Sequence, residues 1–373
     1  MKILLDEEIA GGAAAFADYG AVDTFAGRDL TREQLAGADV LLVRSVTRVD
    51  EQLLDGIPLR FVGTSTAGTD HVDLDYLAAR GIPFASAPGC NAEAVAEHVI
   101  CCIAAYSASL ARPLRSLDVG VVGYGHVGRA VGRMLDALGI PFMLNDPPLS
   151  EVDNKFESAP LERVMRCQVV TVHVPLTTQG VHATQNLIGA SELAQLPSRA
   201  LLINAARGGV VDESRLIEHC EGEKALFAAI DCWEREPLVR ADSLRAAWFA
   251  SPHIAGHTRE ARFKATEMLQ HALSAQLELE GPGDPPGPGP GIVLDQATSG
   301  TTNDILAQIH PLGRHTAAMR EWNLTDAVDL RRSFDRYRGE FGLRRGFSAI
   351  QVAQSALDPD TVEELRALGV AVV

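Results

Sequence analysis

No run in this sequence is apolar and long enough to cross a bilayer. The most apolar stretch, residues 99–111, is thirteen residues long and contains three hydroxyl side chains. A membrane-spanning helix needs about 20. The opening MKILLDEEIA turns acidic after a short apolar run, so no signal-peptide core is expected there. Paired cysteines are missing too. Cys90, Cys101, Cys102, Cys167, Cys220 and Cys232 form no CxxC and no metal-ligand spacing. Buried, reduced thiols in a cytoplasmic protein, with no metal, are the expectation. Positive charge is scarce: 33 Lys+Arg stand against 49 Asp+Glu, a net charge of −16. A nucleic-acid partner, which requires a basic stripe to neutralise phosphates, is therefore excluded. Small anionic ligands are not excluded, because a local Arg can oppose the global field.

What is present is ample apolar material. Hydrophobic residues make up 46% and charged residues 22% of the 373 positions, which excludes a disordered chain. That length suits two or three domains. One segment punctuates it: GPGDPPGPGPG at 281–291, in which ten of eleven residues are Gly or Pro. Neither helix nor central strand survives such a composition, so it reads as a linker to a tail of 82 residues, 292–373.

The remainder alternates strand and helix signals. Residues 2–5, 40–44 and 60–64 are short apolar runs, and 38–43 is nearly all apolar, as in a parallel strand covered on both faces. Val95, Val99, Cys102, Ile103, Tyr106 and Leu110 recur at steps of three to four, one face of a long helix. A second set follows: strands at 119–122, 141–145, 169–174, 200–204 and 226–231, with a helix at 126–138 ended by Gly139. This repetition predicts an α/β fold with doubly wound parallel sheets.

Gly123-Tyr124-Gly125-His126-Val127-Gly128 is a GxGxxG directly after one strand and opening one helix. Gly123 permits the tight turn, Gly125 lets a pyrophosphate approach the backbone, and Gly128 lets helix and strand pack closely. The helix N-terminus then offers amides and a positive dipole. Asp146 ends the next strand, eighteen residues after Gly128. A carboxylate there accepts the ribose hydroxyls of NAD and repels the extra phosphate of NADP.

Three further segments lie just past strand ends, where open α/β sheets place their ligand crevice. They are NAARGGVVD (204–212), DCWEREP (231–237) and SPHIAG (251–256). Arg207 has the planar fork to hold a substrate carboxylate. His253 suits the general base that takes a hydroxyl proton. Glu236 suits the second ring nitrogen, fixing the tautomer and steadying the protonated ring. Together they fit oxidation of a 2-hydroxy acid, with the nicotinamide taking the hydride.

These motifs resemble those of the D-isomer-specific 2-hydroxyacid dehydrogenase family. The matching runs also include HVPLT (173–177), TSTAGTDHVD (64–73) and PGCNAEAVAE (88–97). VRSVT (43–47), NDPP (145–148) and FDRYRGEFGLRRGFSAIQV (334–352) resemble a branch that carries a C-terminal dimerisation domain. The resemblance implies two Rossmann-like lobes plus a small C-terminal α+β domain. The substrate lobe would be 1–95, rejoined by 258–280; the NAD lobe 96–257; the linker 281–291; the homodimerisation domain 292–373. It implies Arg207, Glu236 and His253 as catalytic residues. It places His126, Val127, Asp146, Asp231 and Gly256 at the cofactor beside the three glycines, and Ser45 and Thr66 at the substrate. His257 stands where that branch usually has Tyr, at a substrate-contacting place, and Val174 where it commonly has Thr. The implied reaction is NAD-dependent oxidation of 4-phospho-D-erythronate, a small phosphorylated 2-hydroxy acid. Arg44, beside Ser45, is a candidate for its phosphate. The alternatives are another D-2-hydroxyacid oxidation, such as that of 3-phosphoglycerate, and a non-enzymatic NAD(H)-sensing scaffold. Residues 331–345 hold six arginines and two acids. They read as a solvated or inter-subunit face, or else as phosphate contacts lent by a partner subunit.

Overall fold

The computed structural model describes every residue except 223–224, 282, 284–286, 295–299, 342–343 and 355–356. The chain divides into two compact units, Met1–Asn91 with Thr258–Pro290 and Ala92–His257 with Gly291–Val373. The expected linker at 281–291 lies partly outside the described residues.

The first unit is built on a five-stranded sheet. Its strands are β1 (Lys2–Asp6), β2 (Ala21–Phe25), β3 (Val40–Val43), β4 (Phe61–Thr64) and β5 (Phe84–Ala85), all parallel, in the order β2-β1-β3-β4-β5. Strands β3 and β4 are buried throughout, which explains their unbroken apolar sequence. β2 escaped the sequence reading because AVDTF is an edge strand whose residues are mostly exposed. Helix Arg259–Gln276 returns the chain to this unit and inserts Leu269 and Leu273 against Ile3, Leu5, Leu42 and Phe61. Thr258 caps it, its hydroxyl accepting from Ala261 N at 3.1 Å.

The second unit holds a six-stranded parallel sheet. Its strands are β6 (Val119–Val122), β7 (Phe142–Asn145), β8 (Val169–Val172), β9 (Leu201–Asn204), β10 (Phe227–Ile230) and β11 (Phe249–Ala250), in the order β11-β10-β9-β8-β6-β7. The order reverses between β6 and β8, so the loop after β6, which carries the glycine motif, opens at the switch point. The tail adds a three-stranded parallel sheet, β12 (Ile292–Leu294), β13 (Ile350–Val352) and β14 (Ala371–Val372). It also adds helices Thr302–Ile309, Leu312–Arg320, Ala327–Phe341 and Pro359–Ala367.

The tail shares a core with the six-stranded sheet. Ile305, Leu306, Leu312, Phe347, Val352 and Leu365 are buried in the same cluster as Val99, Ile103, Val121 and Ile203. Helix Ala92–Ser109, expected to bury one face, buries fourteen of its eighteen residues. The reason is that β9 and helices His126–Ala137 and Thr302–Ile309 all pack against it. Helix Leu312–Arg320 lies along β11, where the Thr316 hydroxyl accepts from Ala250 N at 2.9 Å and so covers the sheet's edge. Among the described residues, no helix is long and apolar enough to cross a membrane.

Candidate active site

The glycine loop is shaped by contacts that only glycine tolerates. Gly123 turns at φ +91, and a Cβ on Gly128 would fall 2.1 Å from Gly123 O. Gly125 instead faces open space, with nothing within 4 Å of where its Cβ would be. It is the N-cap of helix His126–Ala137, whose first-turn amides have no intrahelical acceptor. Exposed His126 and half-buried Val127 open that turn. An open, side-chain-free approach to a twelve-residue helix's N-terminus fits a pyrophosphate. Asp146, half-buried at the end of β7, accepts from Tyr124 N at 2.7 Å and Leu149 N at 3.0 Å. Its carboxylate is thereby held against the glycine loop, and each oxygen retains a second lone pair for a ribose hydroxyl. The side chain of Val174, after β8, approaches Gly123 and contributes only apolar surface there.

Past the ends of β9, β10 and β11 the structure brings the polar set together. His253 Nδ1 lies 2.8 Å from Glu236 Oε2, and Glu236 Oε1 accepts from Trp233 N at 2.8 Å. Both carboxylate oxygens of Glu236 are therefore anchored, which fixes the imidazole through Nδ1. His253 itself sits at φ +55, a left-handed conformation unusual for a non-glycine. The buried Asp231 holds that loop in place. Its Oδ1 accepts from Ser251 Oγ at 2.6 Å and Ile254 N at 2.8 Å, and its Oδ2 from Ala255 N at 3.0 Å. Gly256 follows immediately, half-buried.

Burial alone would push the His253 imidazole down. The Cys232 sulfur and the Glu236 carboxylate beside it outweigh burial and hold it well above the usual histidine value. Burial raises the Cys232 thiol, so it is neutral at pH 7 and the charge facing His253 is that of Glu236. Glu236 is lowered despite its own burial, by His253 and the Trp233 amide. Cys232, Glu236 and His253 place one ligand atom each within 4.8 Å of one another, but the Glu236–His253 hydrogen bond already uses that geometry.

Arg207 lies on the turn after β9, half-buried, with Nη1 donating to Ala206 O at 2.8 Å. A Cβ on the next residue, Gly208, would stand 1.8 Å from Trp233 O. The arginine turn and the Trp233–Glu236 turn thus touch backbone to backbone.

Residues 93–255 match the NAD-binding domain of the D-isomer specific 2-hydroxyacid dehydrogenases. Along its whole length the chain is similar to the erythronate-4-phosphate dehydrogenase of Marinobacter nauticus, 39% identical over 99% of both chains. That of Hahella chejuensis is 36% identical over 99% of this chain and 98% of its own. The chain belongs to the erythronate-4-phosphate dehydrogenase branch of the D-2-hydroxyacid dehydrogenase family. Its cofactor is NAD. In fold it is similar to the Aquifex aeolicus D-lactate dehydrogenase complexed with NAD and lactic acid. That match has TM-score 0.60 and 21% identity, and covers 74% of this chain and 96% of that one. It is similar also to the NAD-bound Entamoeba histolytica 3-phosphoglycerate dehydrogenase, with TM-score 0.61 and 24% identity, over 74% and 94%.

The other family positions fall in the first unit. Ser45 is exposed on the turn after β3. Thr66, on the loop after β4, donates to Gly68 O at 2.7 Å and meets Thr64 Oγ1 at 2.9 Å. Arg44 makes an ion pair with the fully buried Asp6, Nε to Oδ1 2.9 Å, so its charge is matched inside its own unit.

The arginine-rich stretch of the tail divides. Arg331, Arg332 and Arg336 are exposed, as a solvated face requires. Arg338, Arg344 and Arg345 are not, and two of these reach the loop that follows His253 within the same chain. Arg338 Nη2 lies 3.4 Å from His257 Nε2, and Arg344 Nη2 donates to Ala255 O at 2.7 Å. Sequence reasoning singled out the stretch but not these two positions. Trp233 and Ser251 were missed as well. The Trp233 indole donates to Ser251 O at 2.9 Å, tying the two loops together, and only their place inside quoted motifs signalled them.

Proposed function

We propose that this chain oxidises C2 of 4-phospho-D-erythronate to 3-hydroxy-2-oxo-4-phosphooxybutanoate with NAD, a step of pyridoxal phosphate (vitamin B6) biosynthesis. The observation that carries this is full-length similarity to erythronate-4-phosphate dehydrogenases, tail included. Bound NAD supplies the hydride acceptor. Arg207 pairs its fork with the substrate carboxylate and so presents the neighbouring carbinol carbon. His253 takes the hydroxyl proton on the ring nitrogen opposite Glu236. Glu236 keeps Nδ1 hydrogen-bonded, holds the ring's orientation, and stabilises the imidazolium that results. Ser45, Thr66 and His257 contact the substrate. Gly123, Gly125, His126, Val127, Gly128, Asp146, Asp231 and Gly256 contact the cofactor, Asp231 also by shaping the His253 loop.

In this reading residues 1–95 with 258–280 are the substrate lobe, and 96–257 the cofactor lobe. The tail, 292–373, joins two copies as a homodimer. Exposed Ile292, Val293 and Val328 support a covered tail surface. Free cysteines at all six positions support a reducing cytoplasmic setting. The test is NADH formation by the purified chain with 4-phospho-D-erythronate. Robust turnover supports the reading. Turnover only of 3-phosphoglycerate points to the sister reaction, and NAD binding without turnover of either points to a scaffold.

A further inference from the structure

We propose that Arg338 and His257 form the subsite for the substrate's terminal phosphate, with Arg338 supplied by helix Ala327–Phe341 of the same chain rather than by a partner subunit. The inference rests on the substrate class proposed above. Helix Ala327–Phe341 carries Arg338 to the end of the catalytic loop, where Nη2 stands 3.4 Å from His257 Nε2. The guanidinium lies 5.6 Å over the ring of Phe334, one turn earlier, and Phe334 is buried. That platform fixes the plane of the fork.

The surroundings of Arg338 argue for an anion not yet counted. Burial works against its charge, and the groups that sustain it are the Glu236, Asp231 and Asp335 carboxylates. Two of these carboxylates are already engaged. Glu236 is held by His253 and the Trp233 amide, and Asp231 by Ser251, Ile254 and Ala255. Among the described residues, Arg338 meets His257 as its hydrogen-bond partner, at the long distance of 3.4 Å. A guanidinium has five donors. A half-buried cation with donors to spare thus sits beside the proton-transfer pair.

Its place selects the phosphate over the carboxylate. The carboxylate is attached to the very carbon whose hydroxyl His253 deprotonates, and Arg207 is suited to it. The phosphate lies two carbons further along. His257 is four residues beyond His253 on the same loop. An arginine fork beside an imidazole suits a dianion with three acceptor oxygens. Arg44, the earlier candidate, is neutralised by Asp6.

The test uses full-length Arg338→Ala and Arg338→Lys with 4-phospho-D-erythronate and with unphosphorylated D-erythronate. Arg338→Ala should raise the ratio of KM for the phosphorylated over the unphosphorylated substrate by about 100-fold, and Lys should restore part of it. Equal loss on both substrates, or no loss on either, overturns the proposal. Titration with inorganic phosphate is independent of turnover. The native chain should bind it and Arg338→Ala should not, at a matched melting temperature. Phosphate binding that survives in the Ala variant also overturns the subsite. A native chain that binds phosphate but turns over neither acid would instead overturn the proposed reaction.

Discussion

At the scale of single residues, chemistry rests on what each carboxylate faces. Glu236 raises the basicity of His253, so the neutral imidazole that the proposed oxidation calls for forms only above the usual histidine range. Oxidation should therefore accelerate as pH rises through that pKa, and reduction of the 2-oxo acid should fade. Glu236→Gln removes the anion. Its oxidation profile should shift to lower pH while kcat falls roughly 100-fold, read from pH–rate curves in both directions. An unshifted profile would show that Glu236 is not the group that charges His253. In the proposed reading Asp146 sets cofactor choice. Asp146→Ala should raise the NADP-to-NAD ratio of kcat/KM about tenfold or more, because the carboxylate no longer repels a ribose phosphate. The residue types of this site were legible in sequence because each sits in a motif after a strand. Arg338 was not singled out: an arginine in a run of arginines gives no sign of which one turns inward.

At the scale of elements, the site depends on loops pressed together without side chains between them. Gly208 is the plainest case, with Trp233 O only 1.8 Å from where a Cβ would stand. The obstacle is backbone on both sides, so neither partner can swing away. Gly208→Ala should lower stability by about 2 kcal/mol or more and misplace Arg207 relative to Glu236. Denaturant unfolding and kcat/KM would report this, and a native-like variant would refute the close approach. Strands β3, β6, β8 and β9 were readable as apolar runs because both of their faces are covered. β2, an exposed edge, and β5 and β11, two residues each, lacked such runs.

At the scale of the whole molecule, the tail is tied to the cofactor-type unit by buried polar contacts. Arg344 and Glu97 form an ion pair at 3.4 Å with side chains 2% and 6% exposed. Glu97 also accepts from Phe347 N at 2.8 Å. Arg344→Ala leaves Glu97 buried without that cation and should cost about 3–5 kcal/mol, measured by thermal unfolding. A surface-like loss below about 1 kcal/mol would contradict the burial. His98, His310 and His315 line the same junction, with His98 Nδ1 2.8 Å from His310 Nε2. Burial lowers His98 to about 4, His310 well below its usual value and His315 to about 3. The unfolded chain takes up these protons near pH 6.5, before the folded one does. The histidines' contribution is thus complete above that pH and is lost as pH falls toward about 4. Each then removes about 1.4 kcal/mol per pH unit. His315→Asn should flatten that slope in denaturant titrations, and an unchanged slope would exclude the junction as its origin. The proposed homodimer belongs to this scale too. The full chain should sediment as a dimer, and Ile292→Lys with Val293→Lys should shift it toward monomer.

The sequence by itself determined the parallel sheets, the glycine loop and the choice of Arg207, Glu236 and His253 as the proposed reacting trio. Those depend on short-range patterns: apolar runs, glycines at fixed spacing, and polar residues just beyond strand ends. Only the tertiary structure decided where the tail goes. Its helices bury the far side of helix Ala92–Ser109 and bring Arg338 and Arg344 onto the loop that follows His253. Positions more than eighty residues apart meet there through packing, and packing leaves no periodicity in the chain to read.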